Sequence, residues 1–341
     1  RAIRTMKASA FSARATAARR RAGMAVAGSK AKGVSNAIDR RALFLHVAAA
    51  CAPFCMQPTN PAQAIVNGES VTDAEAAAAG AVGLWIDLSG CSVCRKGLPA
   101  TCSGTLISPT LVLSARHCLD TPRALNGTLD RVVFGSDMFA ANMARKVAAV
   151  ATTADYGIET AGNDLILIKL ESPAPAPWRP VELPLGLLPS KAEEIEAKRA
   201  NSPFYPDGLG FPELTAYGYG QQSTKGTLNA DDFSAGVLKR INVQTRTEIR
   251  PWAPGFLTTP ELEGTGTCAG DSGGSALALL QDPQGRGLRQ ILVGVQAAAS
   301  LPCENNQQVF VNPAAFEDFI LRASKDLGAP VQRTISWRQY S

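Results

Sequence analysis

The sequence predicts an all-β fold, a sandwich or a pair of barrels, and three observations carry that expectation. Short β-type runs broken by Gly, Pro, Asn and Asp follow one another from Ile65 onward. Helical periodicity is confined to two segments. A proline-rich stretch divides the chain near its middle.

The runs at 105–107, 111–113, 131–134, 165–170, 214–219, 237–243, 291–296 and 309–311 are each short, apolar or β-branched, and bounded by turn residues. Five prolines within 172–184 (SPAPAPWRPVELP) block a regular ladder and favour a stiff, extended connector between two halves. Segment 191–200 (KAEEIEAKRA) carries charge on nearly every face and reads as a solvated helical insertion. Segment 314–327 alternates apolar and polar residues at helical spacing, which predicts a helix docking one face on the body.

Charge is unevenly spread. The 341 residues carry a formal net charge of +5, but residues 1–64 hold eleven Lys or Arg and a single acid, Asp39. Residues 65–341 are therefore net negative, and nothing in the charge supports a nucleic-acid partner. The first 64 residues form a targeting leader. Its opening part is rich in Arg, Ala and Ser, the composition of an organelle transit peptide. Arg40 and Arg41, an apolar run over 42–54, and the small residues Ala62 and Ala64 then follow in the order of an export signal. The apolar run is too short to be a permanent membrane anchor. This bipartite leader predicts an exported protein, with the thylakoid lumen favoured and the extracellular space as the alternative. Cys51 and Cys55 leave with the leader. The remaining six, Cys91, Cys94, Cys102, Cys118, Cys268 and Cys303, are an even set that suggests disulfides in an exported chain.

Three strings carry the chemistry: LVLSARHC at 111–118, NDLILIKL at 163–170 and GTCAGDSGGSA at 266–276. Singly, each has a plain reading. A His beside a Cys is often structural or metal-binding, an Asp before an apolar strand is a turn residue, and Gly-Asp-Ser-Gly-Gly can be a bare loop. A zinc site from Cys91, Cys94, His117 and Cys118 is the metal alternative, and it would consume the only imidazole beyond the leader, where His46 lies. Serine is a weak nucleophile that must hand its proton to a base as it attacks. Imidazole suits that task because its pKa lies near the working pH. If Ser272 is activated by an imidazole, the imidazole is His117.

Together and in this order, the strings resemble the chymotrypsin-like (trypsin-like) serine endopeptidases. The resemblance extends to IVNG at 65–68, CSGTLISPTLVLSARHC at 102–118, TAYGYG at 215–220 and LVGV at 292–295, and so covers the chain from Ile65 to about Leu327. It implies two six-stranded antiparallel β-barrels with a C-terminal helix and the active site between the barrels. The peptidase domain is then 65–335, with barrels of about 65–180 and 181–327, and 328–341 is a tail. His117, Asp164 and Ser272 take the roles of base, orienting carboxylate and nucleophile. The N–H groups of Gly270 and Ser272 form the oxyanion hole. Asp271 pairs with the ammonium of a new N-terminus at Ile65. Cys102 joins Cys118, and Cys268 joins Cys303; Cys91 and Cys94 have no counterpart and either close a small loop or form a redox pair. No cofactor is implied. The expected partners are polypeptide substrates and protein inhibitors, and a monomer is expected.

The pocket departs from the family pattern. Gly266 stands six residues before Ser272 and offers no carboxylate to a Lys or Arg side chain. Ala297-Ala298-Ala299 replaces the usual Ser-Trp-Gly, Ala299 adds a methyl to the wall, and Gln308 narrows the pocket further. Small or uncharged side chains are the expected preference. A catalytically silent homologue acting as a binding protein is the alternative function. No basic residue lies between Arg41 and Ile65, so a trypsin-like activator has nothing to recognise there. Ala62 and Ala64 suit a signal peptidase, and one cut after Ala64 is expected to serve both export and activation.

Overall fold

Strands β2 (Ala81–Asp87), β3 (Ala100–Ser108), β4 (Leu111–Ser114), β5 (Thr128–Phe134), β6 (Met143–Thr152) and β7 (Ile166–Leu170) close into an antiparallel barrel, in the order β2-β3-β4-β7-β6-β5. The computed structural model describes residues 65–92, 99–158, 162–185, 214–221, 235–247, 253–281 and 287–333. The leader expected at 1–64, the helix expected at 191–200 and Cys94 lie outside them. A second ring is built from β8 (Leu214–Gly218), β9 (Lys239–Thr245), β10 (Gly255–Pro260), β11 (Ser275–Gln281), β12 (Leu288–Ala299) and β13 (Gln308–Val311). It runs β9-β10-β13-β12-β11-β8, and the β8–β9 pairing closes it. Closure leaves neither ring with a free edge. The expected pair of six-stranded barrels is what the chain forms.

Each barrel encloses its own set of buried apolar side chains. Leu84, Leu106, Leu113, Ile166 and Ile168 are fully buried in the first. Leu214, Ile241, Phe256, Ile291 and Phe310 fill the second. The opposite face of the second sheet is not exposed: Leu277, Leu292 and Val295 join the first barrel's core, so the barrels share one apolar seam. The connector is tied to both sides of it. Val181 N–H donates to the Leu106 carbonyl (2.8 Å), and Leu292 N–H donates to the Glu182 carbonyl (2.9 Å).

Residues 65–70 precede the first barrel in sequence but join the second, because β1 (Glu69–Ser70) pairs with β9. Two short helices were not legible in advance. The first, α1 (Asp73–Ala78), is started by a reciprocal cap between Thr72 and Glu75. The second, α2 (His117–Ala124), contains Pro122. The expected C-terminal helix is α3 (Glu317–Asp326), preceded by a 3-10 turn over Pro313–Phe316. Its Phe319, Ile320 and Ala323 are fully buried. Tyr156 of the first half clamps it through a ring contact with Phe319 (5.4 Å) and a hydrogen bond to Asp326 (2.7 Å).

Candidate active site

The pairing of β4 with β7 sets Ser114 opposite Ile166. The residues that leave β4 therefore meet those that enter β7, which brings His117 and Asp164 together at one end of the first barrel. Asp164 accepts twice from His117: Oδ1 from the main-chain N–H (2.8 Å) and Oδ2 from Nδ1 (2.7 Å). A carboxylate can only accept, so Nδ1 carries the proton and Nε2 presents a lone pair. The Asp164 loop is held in turn by Asn163, whose side chain donates to the Ile158 carbonyl (2.7 Å) and whose carbonyl accepts from the Thr153 hydroxyl. Burial disfavours the imidazolium, but the Asp164 charge and hydrogen bond outweigh it and Asp120 adds to them, so the His117 pKa is raised above its usual 6.5.

Ser272 comes from the second barrel, in the turn that enters β11. Its carbonyl accepts from Ser103 N–H (2.8 Å), and the Ser103 hydroxyl donates to the Gly270 carbonyl (2.9 Å). Ser103 adjoins Cys102, which is bridged to Cys118 beside His117. Cys118 Sγ lies 3.6 Å from the Ser272 carbonyl oxygen, a contact without a hydrogen bond because the bridged sulfur bears no proton. The turn needs its glycines. Gly270 and Gly273 have φ of +95° and +82°, and a Cβ on Gly273 would run into Ser114 Oγ and the Ser103 carbonyl. The N–H groups of Gly270 and Ser272 have no acceptor among the described residues. Ser272 Oγ and His117 Nε2 make no hydrogen bond there either.

Asp271 points the other way, into the protein. It is 1% exposed and accepts from Cys268 N–H and Gly220 N–H, both at 2.7 Å. Glycine at 218 and 220 makes room for it, since a Cβ on either would strike the carboxyl group. Burial drives its pKa up to about 7, against the lowering effect of the two N–H donors. Ile65 is fully buried in the core of the second barrel, and Val66 N–H bonds the Gly266 carbonyl (2.9 Å), two residues before Cys268.

A family model, Trypsin, matches residues 91–320. The chain belongs to the trypsin family. Both bridges expected of a trypsin-family chain are formed, Cys102–Cys118 and Cys268–Cys303. The zinc alternative fails on that chemistry, because Cys118 has no thiolate to give and Cys91 is also disulfide-bonded. No helix among the described residues is long and apolar enough to cross a membrane, and the disulfides are consistent with an exported trypsin-family protein.

Around the expected pocket, Ala297 and Ala299 are half-buried on β12, and Ala299 is the register partner of Gln308. Gln308 is fully buried and spends its amide on Thr258 and Asn306. At Gly266 a Cβ would meet the Cys303 carbonyl oxygen and would lie 2.8 Å from Asn306 Oδ1, so no side chain fits without rearrangement. The sequence reading missed Ser103, Thr267, Gln296 and Asn306. The available signal was polar: amide residues at 296 and 306–308 stand beside apolar strand positions.

Proposed function

We propose that the protein is a serine endopeptidase that hydrolyses polypeptides through an acyl-enzyme. The observation that carries this reading is the double hydrogen bond from His117 to Asp164, which leaves Nε2 as the free base, while Cys118, next to His117, lies against the carbonyl of the Ser272 turn. Ser272 Oγ bonds to the scissile carbonyl carbon while its proton passes to His117 Nε2. The carbonyl oxygen becomes an oxyanion held by Gly270 and Ser272 N–H groups. As the tetrahedral adduct collapses, the C–N bond breaks and the imidazolium returns its proton to the leaving amine. Water, deprotonated by the same imidazole, then cleaves the ester and restores Ser272.

The same reading gives Asp271 and Ile65 the activation role. A cut after Ala64 frees the Ile65 ammonium as a partner for the buried Asp271 carboxyl, whose raised pKa marks the cost of ionising it without one. Substrates with Lys or Arg before the scissile bond are not favoured, because Gly266 supplies no counter-charge.

Fluorophosphonate labelling tests the reading. The purified protein is expected to take the label on Ser272 and to hydrolyse peptides, and the Ser272→Ala protein to do neither. Failure of the folded, correctly processed protein to label would instead favour a silent homologue that binds without cutting.

A further inference from the structure

The interior of the second barrel is apolar as far as Phe256 and Phe310, whose rings stack at 5.6 Å. Beyond them its chemistry changes. The next inward positions by strand alternation are Thr258 on β10 and Gln308 on β13, and Gln296 on β12 is the cross-strand partner of Phe310. Thr267 and Asn306 join them from the loops. All five are 3% exposed or less.

Most of their hydrogen-bonding capacity is used internally. Thr258 donates to Gln308 Oε1 (2.8 Å), Gln308 Nε2 donates to Asn306 Oδ1 (3.3 Å), and Asn306 Nδ2 donates to the Thr267 and Ser300 carbonyls (2.6 and 3.1 Å). Two atoms are left over. Gln296 Oε1 and Thr267 Oγ1 are buried and have no hydrogen-bond partner among the described residues. The amide orientation of Gln296 is fixed by chemistry, because its Nε2 donates to the Ala298 carbonyl (2.7 Å) and a flipped amide would set oxygen against oxygen. An unmatched buried polar group is destabilising where an apolar side chain of similar size would not be.

Both atoms belong to residues next to the Ser272 turn, one bonded to it through the main chain and one on the same loop. Gln296 brackets the Ser272 turn, its carbonyl accepting from Gly273 N–H (2.7 Å) and its N–H donating to the Gly274 carbonyl (2.8 Å). Thr267 lies five residues before Ser272 on the same loop.

We infer that Gln296 and Thr267 are specificity-determining residues that select a substrate with a side-chain carboxamide, Asn or Gln, immediately before the scissile bond. The inference rests on the peptidase reading above. Gln296 Oε1 can only accept, and a substrate NH2 supplies the donor. The Thr267 hydroxyl can donate, and the substrate amide oxygen accepts. A carboxylate would face the Gln296 oxygen, a cation would be desolvated with no carboxylate among the five residues, and an aliphatic side chain would leave both protein oxygens unmatched. Sites built to hydrogen-bond a substrate reject analogues that cannot.

The test is kcat/KM on peptides that differ only at the residue before the cut, carrying Gln, Asn, Leu, Ala, Lys or Glu. The better carboxamide substrate is expected to exceed Leu, Lys and Glu by roughly 10- to 100-fold. Gln296→Val should bring that ratio to within a few-fold, and Thr267→Val provides an independent variant of nearly unchanged shape. Fluorophosphonate labelling of each protein reports whether its nucleophile is intact. Labelled, active protein that prefers Leu or Lys overturns the inference and leaves the peptidase reading standing. A carboxamide preference that survives in both variants overturns it as well. Protein that neither labels nor cuts any of the peptides defeats the peptidase reading, and the inference with it.

Discussion

Asp164 grips His117 at two points, the main-chain N–H at 2.8 Å and Nδ1 at 2.7 Å. One carboxylate thereby fixes both the position of the residue and the tautomer of its ring. Only the neutral imidazole can accept the Ser272 proton, so kcat/KM is predicted to rise with pH through an apparent pKa above the ordinary 6.5. Asp164→Asn removes the charge that favours the imidazolium and should move that limb to lower pH, with kcat lower by about 10^4-fold. A pH–rate profile unaltered in the variant would contradict this assignment.

Ser272→Ala is predicted to lower kcat by about a million-fold while the unfolding midpoint stays near that of the parent, since Ser272 Oγ makes no hydrogen bond among the described residues. Residual turnover within tenfold of the parent would remove Ser272 from the mechanism.

Asp271 links processing to pH. With Ile65 in peptide linkage, the folded carboxyl holds its proton up to about pH 7, whereas an ordinary carboxyl releases it near 3.8. The folded state therefore binds more protons than the unfolded one between about pH 4 and 7, and the stability of the uncut chain should fall as pH rises through that window. A freed Ile65 ammonium favours the ionised carboxylate and reverses the trend. Urea midpoints at pH 5 and pH 7.5 for uncut and mature protein are the measurement. Mature protein is predicted to begin at Ile65, and one extra residue ahead of it should cost most of the activity.

Gly266→Asp is predicted not to create a preference for Lys or Arg. Its Cβ would collide with the Cys303 carbonyl before the carboxylate could serve a substrate. Reduced stability with no gain on basic substrates is the expected outcome, and a clean switch to Lys or Arg would show that the loop can yield.

Removing the Cys102–Cys118 bridge, which spans 16 residues, should cost about 3 kcal/mol of stability. Thiol titration of the native protein should find all four of Cys102, Cys118, Cys268 and Cys303 blocked.

The pairing of His117 with Asp164 and the tight turn at Ser272 were legible because their chemistry is scarce and local. From Ile65 on there is one histidine, and glycines on either side of Ser272 mark a turn that admits no side chain. Strands were legible where β-branched residues cluster, as in β7, but β2, β6, β10 and β11 were not. The β11 text SALALLQ suits a helix as well as a strand, and its state is decided by pairing with β8 and β12. Strand β6 is mostly half-buried and lacks a clean alternation. The polar end of the second barrel was hidden for a related reason. The register shift between Gln296 and Ala298 sets which β12 side chains turn inward, and a single-sequence reading has no access to register.

The pairing of β1 with β9 has a consequence in time. Glu69 and Arg240 bond across 171 residues of chain. At a synthesis rate of about 5–20 residues per second, β1 waits roughly ten to thirty seconds for the strand it must join. The first barrel can close during that interval from contacts within 81–170, while the buried segment around Ile65 still has no barrel to enter. Ile65 can therefore reach its place only after the second half has been made, and the first residue of the body becomes one of the last to fold.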